Sequence, residues 1–466
     1  MGDGRDTKPC PRGYDPRCSS LVGFAAHREE FIAGSDSPRA LLERCLSLIA
    51  EREPLVHAFA SLNIEGARLA ADAATARYRA GQPLSAIDGC PIGVKDTIET
   101  ADLPTGMGSP IHAGQRTGRD AACVRAVRSG GAVILGKTVT TEFGFGLSGP
   151  TTNPFDQTRT PGGSSSGSGA AVGAGMLPAA LATHTMSSII RPAAYCGAYG
   201  FKPSYGAING GGVHPLAETQ DHVGVIAGSL ADAWLVAHRA SESAGGWHGH
   251  PTLGGPGHPP HALKPERLVR VDAAGWGDTD APTRAAFDDL IDRLRHAGVE
   301  VVGEGDDPLV DAFVGEIDHC LEVGRRILAY EMRWPMFAYR ESHADLLGPR
   351  IMDMLAEADS MSPSDYRLNL ERRERMRRAF AALAEVGDAV IMPASAGPAP
   401  AGLAFTGHRF HGAPAALLGA PAFSLPLLAV GNLPQGVQLI GQGNQDRRLA
   451  ANSAWVASWW FDHAVT

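Results

Sequence analysis

A lysine and two serines stand in segments whose neighbours are small or apolar. The lysine ends an apolar run, Pro91-Ile92-Gly93-Val94-Lys95-Asp96. One serine turn reads Pro161-Gly162-Gly163-Ser164-Ser165-Ser166-Gly167-Ser168-Gly169. The other reads Thr183-His184-Thr185-Met186-Ser187-Ser188-Ile189-Ile190-Arg191-Pro192. A serine hydroxyl is a weak nucleophile until a base takes its proton. A lysine amine is such a base only when uncharged, and its ordinary pKa is about 10.4. Burial at the end of an apolar strand disfavours the ammonium and lowers that value. Groups of these kinds can support acyl transfer.

Taken singly, each segment has an ordinary explanation. A lysine closing a strand is commonly solvated, and a Gly/Ser run is commonly a flexible linker. Here, however, the run leads directly into Ala170-Ala171-Val172-Gly173-Ala174-Gly175-Met176, where a linker would stay polar. Small residues followed by apolar ones predict a closely packed helix start, and hydroxyls buried there need partners.

Taken together, the three segments resemble the amidase signature family. In that family a lysine follows a Gly-Val-Lys-Asp strand, a serine sits in a Gly-Gly-Ser-Ser-Gly-Gly-Ser turn, and a nucleophilic serine follows about two dozen residues later. Ser164 and Ser188 are 24 residues apart. The likeness extends over roughly residues 25–460 and includes Gly136-Lys137-Thr138, Phe201-Lys202-Pro203-Ser204-Tyr205-Gly206, Asp221-His222-Val223-Gly224 and Leu433-Pro434-Gln435-Gly436-Val437-Gln438-Leu439-Ile440-Gly441.

The resemblance implies a catalytic trio. Lys95 takes a proton from Ser164, Ser164 takes one from Ser188, and Ser188 forms an acyl-enzyme with a small carboxamide substrate. It also implies a cis peptide bond between Gly163 and Ser164. Backbone N–H groups of Thr185, Met186, Ser187 and Ser188 would form the oxyanion hole, the preorganised donors such chemistry needs. Substrate contacts are expected from Phe143, Met186, Trp334 and Met336, which suggests an apolar or aromatic acyl group. No cofactor and no metal are implied. The same machinery suits a carbamate or an ester. The further alternatives are a non-catalytic scaffold and an aminoacyl-tRNA amidotransferase A-type subunit.

Five positions depart from the family pattern, one of them Ser166, which replaces a glycine of the Ser164 turn. His184 stands where the family usually has Asp, and Ile190 where it has Arg. Met186 and Ser187 replace two glycines of the oxyanion turn. Joint loss of Asp and Arg avoids a buried unpaired charge. His184 lies four residues before Ser188, but with Lys95 present it is not assigned the base. Met186 is expected to crowd the turn or line the acyl pocket.

The elements that must hold these residues alternate. Helical periodicity covers 39–52, 63–80, 119–129, 283–297, 308–340 and 364–386, and apolar strands cover 91–94, 132–135, 268–271, 299–302, 389–392, 422–427 and 437–440. That alternation predicts an α/β fold. With the resemblance, the expectation is a single large domain over 21–466, a central mixed β-sheet covered by helices on both faces. Residues 1–20 read as a poorly ordered tail. The stretch 245–261, rich in Gly, Pro and His, reads as a solvated surface connection.

Composition narrows the function classes. The chain has 466 residues and a net charge of −9, with no basic stripe, which argues against nucleic acid as a direct ligand. Seven scattered cysteines make neither a disulfide framework nor a metal frame, so a cytoplasmic setting is expected. No apolar run is long enough to span a bilayer, so no membrane partner is expected. A homodimer is left open.

Overall fold

The computed structural model describes residues 13–272 and 275–463. Eleven strands form one mixed sheet among the described residues. In chain order they are β1 (Phe59–Leu62), β2 (Pro91–Lys95), β3 (Val133–Thr138), β4 (Ala179–His184), β5 (Tyr199–Lys202), β6 (His222–Ala227), β7 (Arg267–Arg270), β8 (Glu300–Val302), β9 (Ala389–Pro393), β10 (Ala422–Val430) and β11 (Leu433–Ile440). Their order across the sheet is β1-β3-β2-β4-β6-β5-β10-β11-β9-β7-β8. β2 runs parallel to both β3 and β4, whereas the centre from β4 to β9 is antiparallel. Every residue of β2, β3 and β9 is buried. Strands covered on both faces run nearly continuously apolar instead of alternating, here up to Lys95 in β2 and Lys137-Thr138 in β3, so they read as short continuous runs.

The small-residue run after Ser164 divides into a helix, Ser166–Gly173, and strand β4. Gly175, with φ +68°, makes the break between them. The helix lies against neighbouring backbone: a Cβ on Gly167 would stand 2.2 Å from the Ala58 oxygen, and one on Gly173 would stand 2.1 Å from the Cys196 oxygen. The absence of side chains there brings the Ser164 turn onto the sheet.

Two expectations change. The helical pattern over 308–340 is three helices, Pro308–Ile317, Cys320–Glu331 and Arg333–His343. The last contains a non-helical residue, Trp334 (φ −104°, ψ 124°), followed by a cis bond to Pro335; a residue before proline is steered away from helix. In the segment read as a tail, residues 1–12 lie outside the described residues. Tyr14, by contrast, is buried, its hydroxyl donating to the Pro426 oxygen at 2.9 Å and its N–H to the Asn432 oxygen at 2.7 Å. Residues 13–20 are thus tied to the β10–β11 hairpin at Tyr14. Cys45, Cys90, Cys123, Cys196 and Cys320 are free and buried. Among the described residues no helix is long and apolar enough to cross a membrane.

Gly173→Ala should test the close approach. Forcing a methyl against the Cys196 backbone is expected to cost about 1–3 kcal/mol, read as a fall in the urea unfolding midpoint. An unchanged midpoint would contradict the packing described.

Candidate active site

Lys95 is the last residue of β2, and its side chain is fully buried. Its Nζ donates to Ser164 Oγ at 2.7 Å and to Thr183 Oγ1, on the adjacent strand β4, also at 2.7 Å. Burial pushes the Lys95 ammonium down to about 7, with the Asp221 carboxylate pulling the other way. Lys137 on β3 is the contrast. It is equally buried, but it pairs with Asp96 at 3.0 Å and donates to Thr105 Oγ1 at 2.8 Å. No described carboxylate lies within 4 Å of Lys95 Nζ. An amine so placed can exist uncharged near neutral pH with a hydroxyl in reach of its lone pair.

Ser164 follows a cis peptide bond from Gly163. Arg191, three residues beyond Ser188, donates to the Gly163 oxygen. It also donates to the oxygens of Gly407 at 2.7 Å and His408 at 3.1 Å, and to Thr406 Oγ1 at 3.2 Å. The buried guanidinium therefore ties the Ser164 turn to the 406–408 loop. Sequence reasoning gave Arg191 no part. The only available signal was an arginine beside the position where the family's arginine is missing.

Ser188 lies at the end of the turn that follows β4, and its hydroxyl makes no hydrogen bond to another described residue. The N–H groups of Thr185, Met186, Ser187 and Ser188 likewise have no acceptor among the described residues. Donors left free beside a hydroxyl can receive an anionic oxygen. Asp221 accepts from Thr185 Oγ1 at 2.6 Å and from the N–H groups of Leu216 and Ala217 at 2.7 and 3.0 Å. Burial raises its carboxyl to about 6.

The substituted positions have definite places. His184 Nδ1 accepts from the Ile189 N–H at 3.1 Å, so its Nε2 carries the proton and donates to the Gly412 oxygen at 3.3 Å. Burial holds its pKa well below the ordinary value. Both ring nitrogens are occupied, so His184 braces the Ser188 turn as a neutral strut. Ile190 is completely buried, and neither position carries a charge that needs a partner. Met186 is buried beside Gly324, where an added Cβ would stand 3.0 Å from its sulfur. Its φ is not positive, so the turn does not require the glycine it replaces.

Two cavities meet at Gly144, Thr185 and Leu216. The smaller, of about 20 Å³, is lined by Ser164, Ser188, Thr185, Met186, Arg191 and Arg409, among others. The larger, of about 660 Å³, has Phe143, Trp247, Tyr330, Trp334 and Tyr366 in its walls. Phe143 stacks on Tyr339 with ring centroids 4.9 Å apart. Trp334 stands at the larger cavity with 73% of its surface exposed. Met336 lines neither: it is fully buried among the apolar residues of the helical layer. The 245–261 stretch is a mostly exposed connection, as read, but part of it reaches the site. Trp247 enters the larger cavity and the His250 ring packs edge-on against Tyr205 at 5.0 Å.

In this chain a long mixed sheet flanked by helices brings a buried lysine to two serine turns, and that α/β fold is a known one. The chain belongs to the amidase family, whose pattern it matches over residues 40–450. It is similar to the crystal structure of an amidase, with 27% identity, a TM-score of 0.82, and coverage of 94% of this chain and 100% of that one. It is also similar to the peptide amidase from Stenotrophomonas maltophilia, with 26% identity, a TM-score of 0.78, and coverage of 94% and 96%. Over 222 residues it is 44% identical to the A-type subunit of glutamyl-tRNA(Gln) amidotransferase from Chloroflexus aggregans, covering 46% of this chain and 45% of that one. The match thus spans under half the length of that curated relative.

His184→Ala should leave the buried Ile189 N–H without its acceptor. The expected cost is about 1–3 kcal/mol, measured as a lower thermal unfolding midpoint. Unchanged stability would mean that His184 does not brace the turn.

Proposed function

We propose that this protein hydrolyses a carboxamide C–N bond through an acyl-enzyme on Ser188. The observation that carries the reading is the 2.7 Å contact from a buried Lys95, lacking a carboxylate partner, to Ser164. Uncharged Lys95 draws the Ser164 proton as Ser164 draws that of Ser188. The Ser188 oxygen bonds to the carbonyl carbon, and negative charge moves to the carbonyl oxygen, facing the free N–H groups of residues 185–188. The relay returns a proton to the nitrogen as the C–N bond breaks. Water then attacks the ester, releasing the acid and restoring the Ser188 hydroxyl. The same steps apply to an ester or carbamate, and matched substrates rank the three bonds by kcat/KM.

A second reading rests on the relative from Chloroflexus aggregans, whose name is that of an amidotransferase component. It expects the chain to co-purify with further subunits from its own source and to be inactive on free amides without them. Turnover of simple amides by the isolated chain would argue against it.

The pH dependence follows from the lysine. Only its deprotonated form is a base, and its value is about 7. The logarithm of kcat/KM should therefore rise with a slope of one up to about pH 7 and level off above it. Ser188→Ala should abolish turnover, and Lys95→Arg, permanently charged, should do the same at every pH. Activity surviving in Ser188→Ala, or a profile flat from pH 5 to 9, would overturn the assignment.

A further inference from the structure

Two guanidinium groups lie over the buried ring of Phe145. Arg409 Cζ stands 4.6 Å from the ring centroid and Arg350 Cζ 5.6 Å from it. Arg409 also lines the small cavity that contains Ser188 and Ser164. Neither arginine has a protein anion to meet. Among the described residues no carboxylate lies within 4 Å of either guanidinium, and neither donates a hydrogen bond to the protein. Their neighbours are differently placed: Arg325 pairs with Glu357 at 2.5 Å, and Arg191 is spent on the backbone and hydroxyl acceptors of the Ser164 turn and the 406–408 loop.

Gathering unpaired cations in a partly closed space is unfavourable unless an anion joins them. Burial and the nearby charges of Arg191, Arg350 and Arg325 push Arg409 down to about 9, and burial lowers Arg350 as well. The aromatic face of Phe145 offsets part of this. A guanidinium fork is also the side chain best shaped for two-point contact with a carboxylate.

Space sets the length of the ligand. The cavity shared by Ser188 and Arg409 is tight, about 20 Å³, and opens at Gly144, Thr185 and Leu216 into the larger chamber, so only a short acyl fragment can lie between the serine and the guanidinium. When the C–N bond breaks, the acyl fragment stays bonded to Ser188 and hence beside Arg409. The departing amine can leave through the 660 Å³ chamber, whose lining does not include Ser188.

We infer that the substrate is the monoamide of a short dicarboxylic acid, whose free carboxylate is bound by Arg409 with Arg350 behind it. This rests on the reading of Ser188 as nucleophile. It replaces the expectation of an apolar or aromatic acyl group, since the aromatic residues gather around the other chamber. Hydrolysis consumes one water, breaks the C–N bond, and yields the dicarboxylate with ammonia or an amine.

The test separates binding from turnover. Malonate and succinate are titrated calorimetrically into the Ser188→Ala protein, which needs no activity. At least one should bind saturably, at least tenfold more weakly in Ser188→Ala/Arg409→Gln, with partial recovery in Ser188→Ala/Arg409→Lys. If Arg409→Gln fails to fold by circular dichroism, Arg350→Gln takes its place in the same comparison. In the active protein, malonamate or succinamate should exceed butyramide in kcat/KM by at least tenfold, and Arg409→Gln should collapse that ratio. Neither diacid binding, diacid binding indifferent to the arginine, or a preference for butyramide would overturn the inference. Diacid binding with no amide turnover would instead strike the hydrolase reading.

Discussion

The rest of the site depends on one physical constraint: an amine must be kept away from water without being given a counter-charge. The sheet meets it by ending β2 at Lys95 and covering it with the small-residue helix Ser166–Gly173. Two hydroxyls satisfy the amine, and the acid that senses it, Asp221, is itself held by Thr185 and two backbone N–H groups. The neighbouring Lys137 shows the same burial with an aspartate supplied: burial lowers its ammonium as well, and the Asp96 carboxylate at 3.0 Å opposes that shift. Desolvation without pairing favours the neutral form, and desolvation with pairing is compatible with the ion.

Around that amine, the turns carrying the two serines are fixed by groups that are not themselves in contact with Lys95. Arg191 joins the carbonyl of Gly163 to the 406–408 loop, and His184 joins Ile189 to Gly412. Both bring distant parts of the chain to one place. The loop before β10 is thereby as much a part of the site as the turn after β4. Each group is held by two or more fixed polar partners, which makes such turns rigid.

Much of this was legible in advance. Lys95, Ser164 and Ser188 could be picked out because small residues and short apolar runs surround them, and the structure brings all three to one region. The α/β class followed from alternating runs such as 91–94 and 132–135. What escaped notice has physical reasons. β4 is hidden because close helix packing requires alanines where a strand usually shows branched residues. β5 is too short to show a period. Met336 was misplaced because an aromatic and apolar stretch gives no sign of which side faces a cavity until Pro335 has broken the helix. Arg409 and Arg350 were invisible as a pair, since 59 positions separate them and only folding puts both on Phe145.

The sheet order has a consequence for the growing polypeptide. β7, β8 and β9 join the first six strands only through β10 and β11, which are translated last. Until the ribosome has passed residue 440, β5 and β9 lack the two strands that lie between them in the folded sheet, and Tyr14 lacks the hairpin it is tied to. Long-range strand pairing of this sort is slow and leaves edges exposed to other chains. A stop codon anywhere before Ala422 would therefore do more than shorten the product. It would leave two unmated halves, each with an edge available for aggregation.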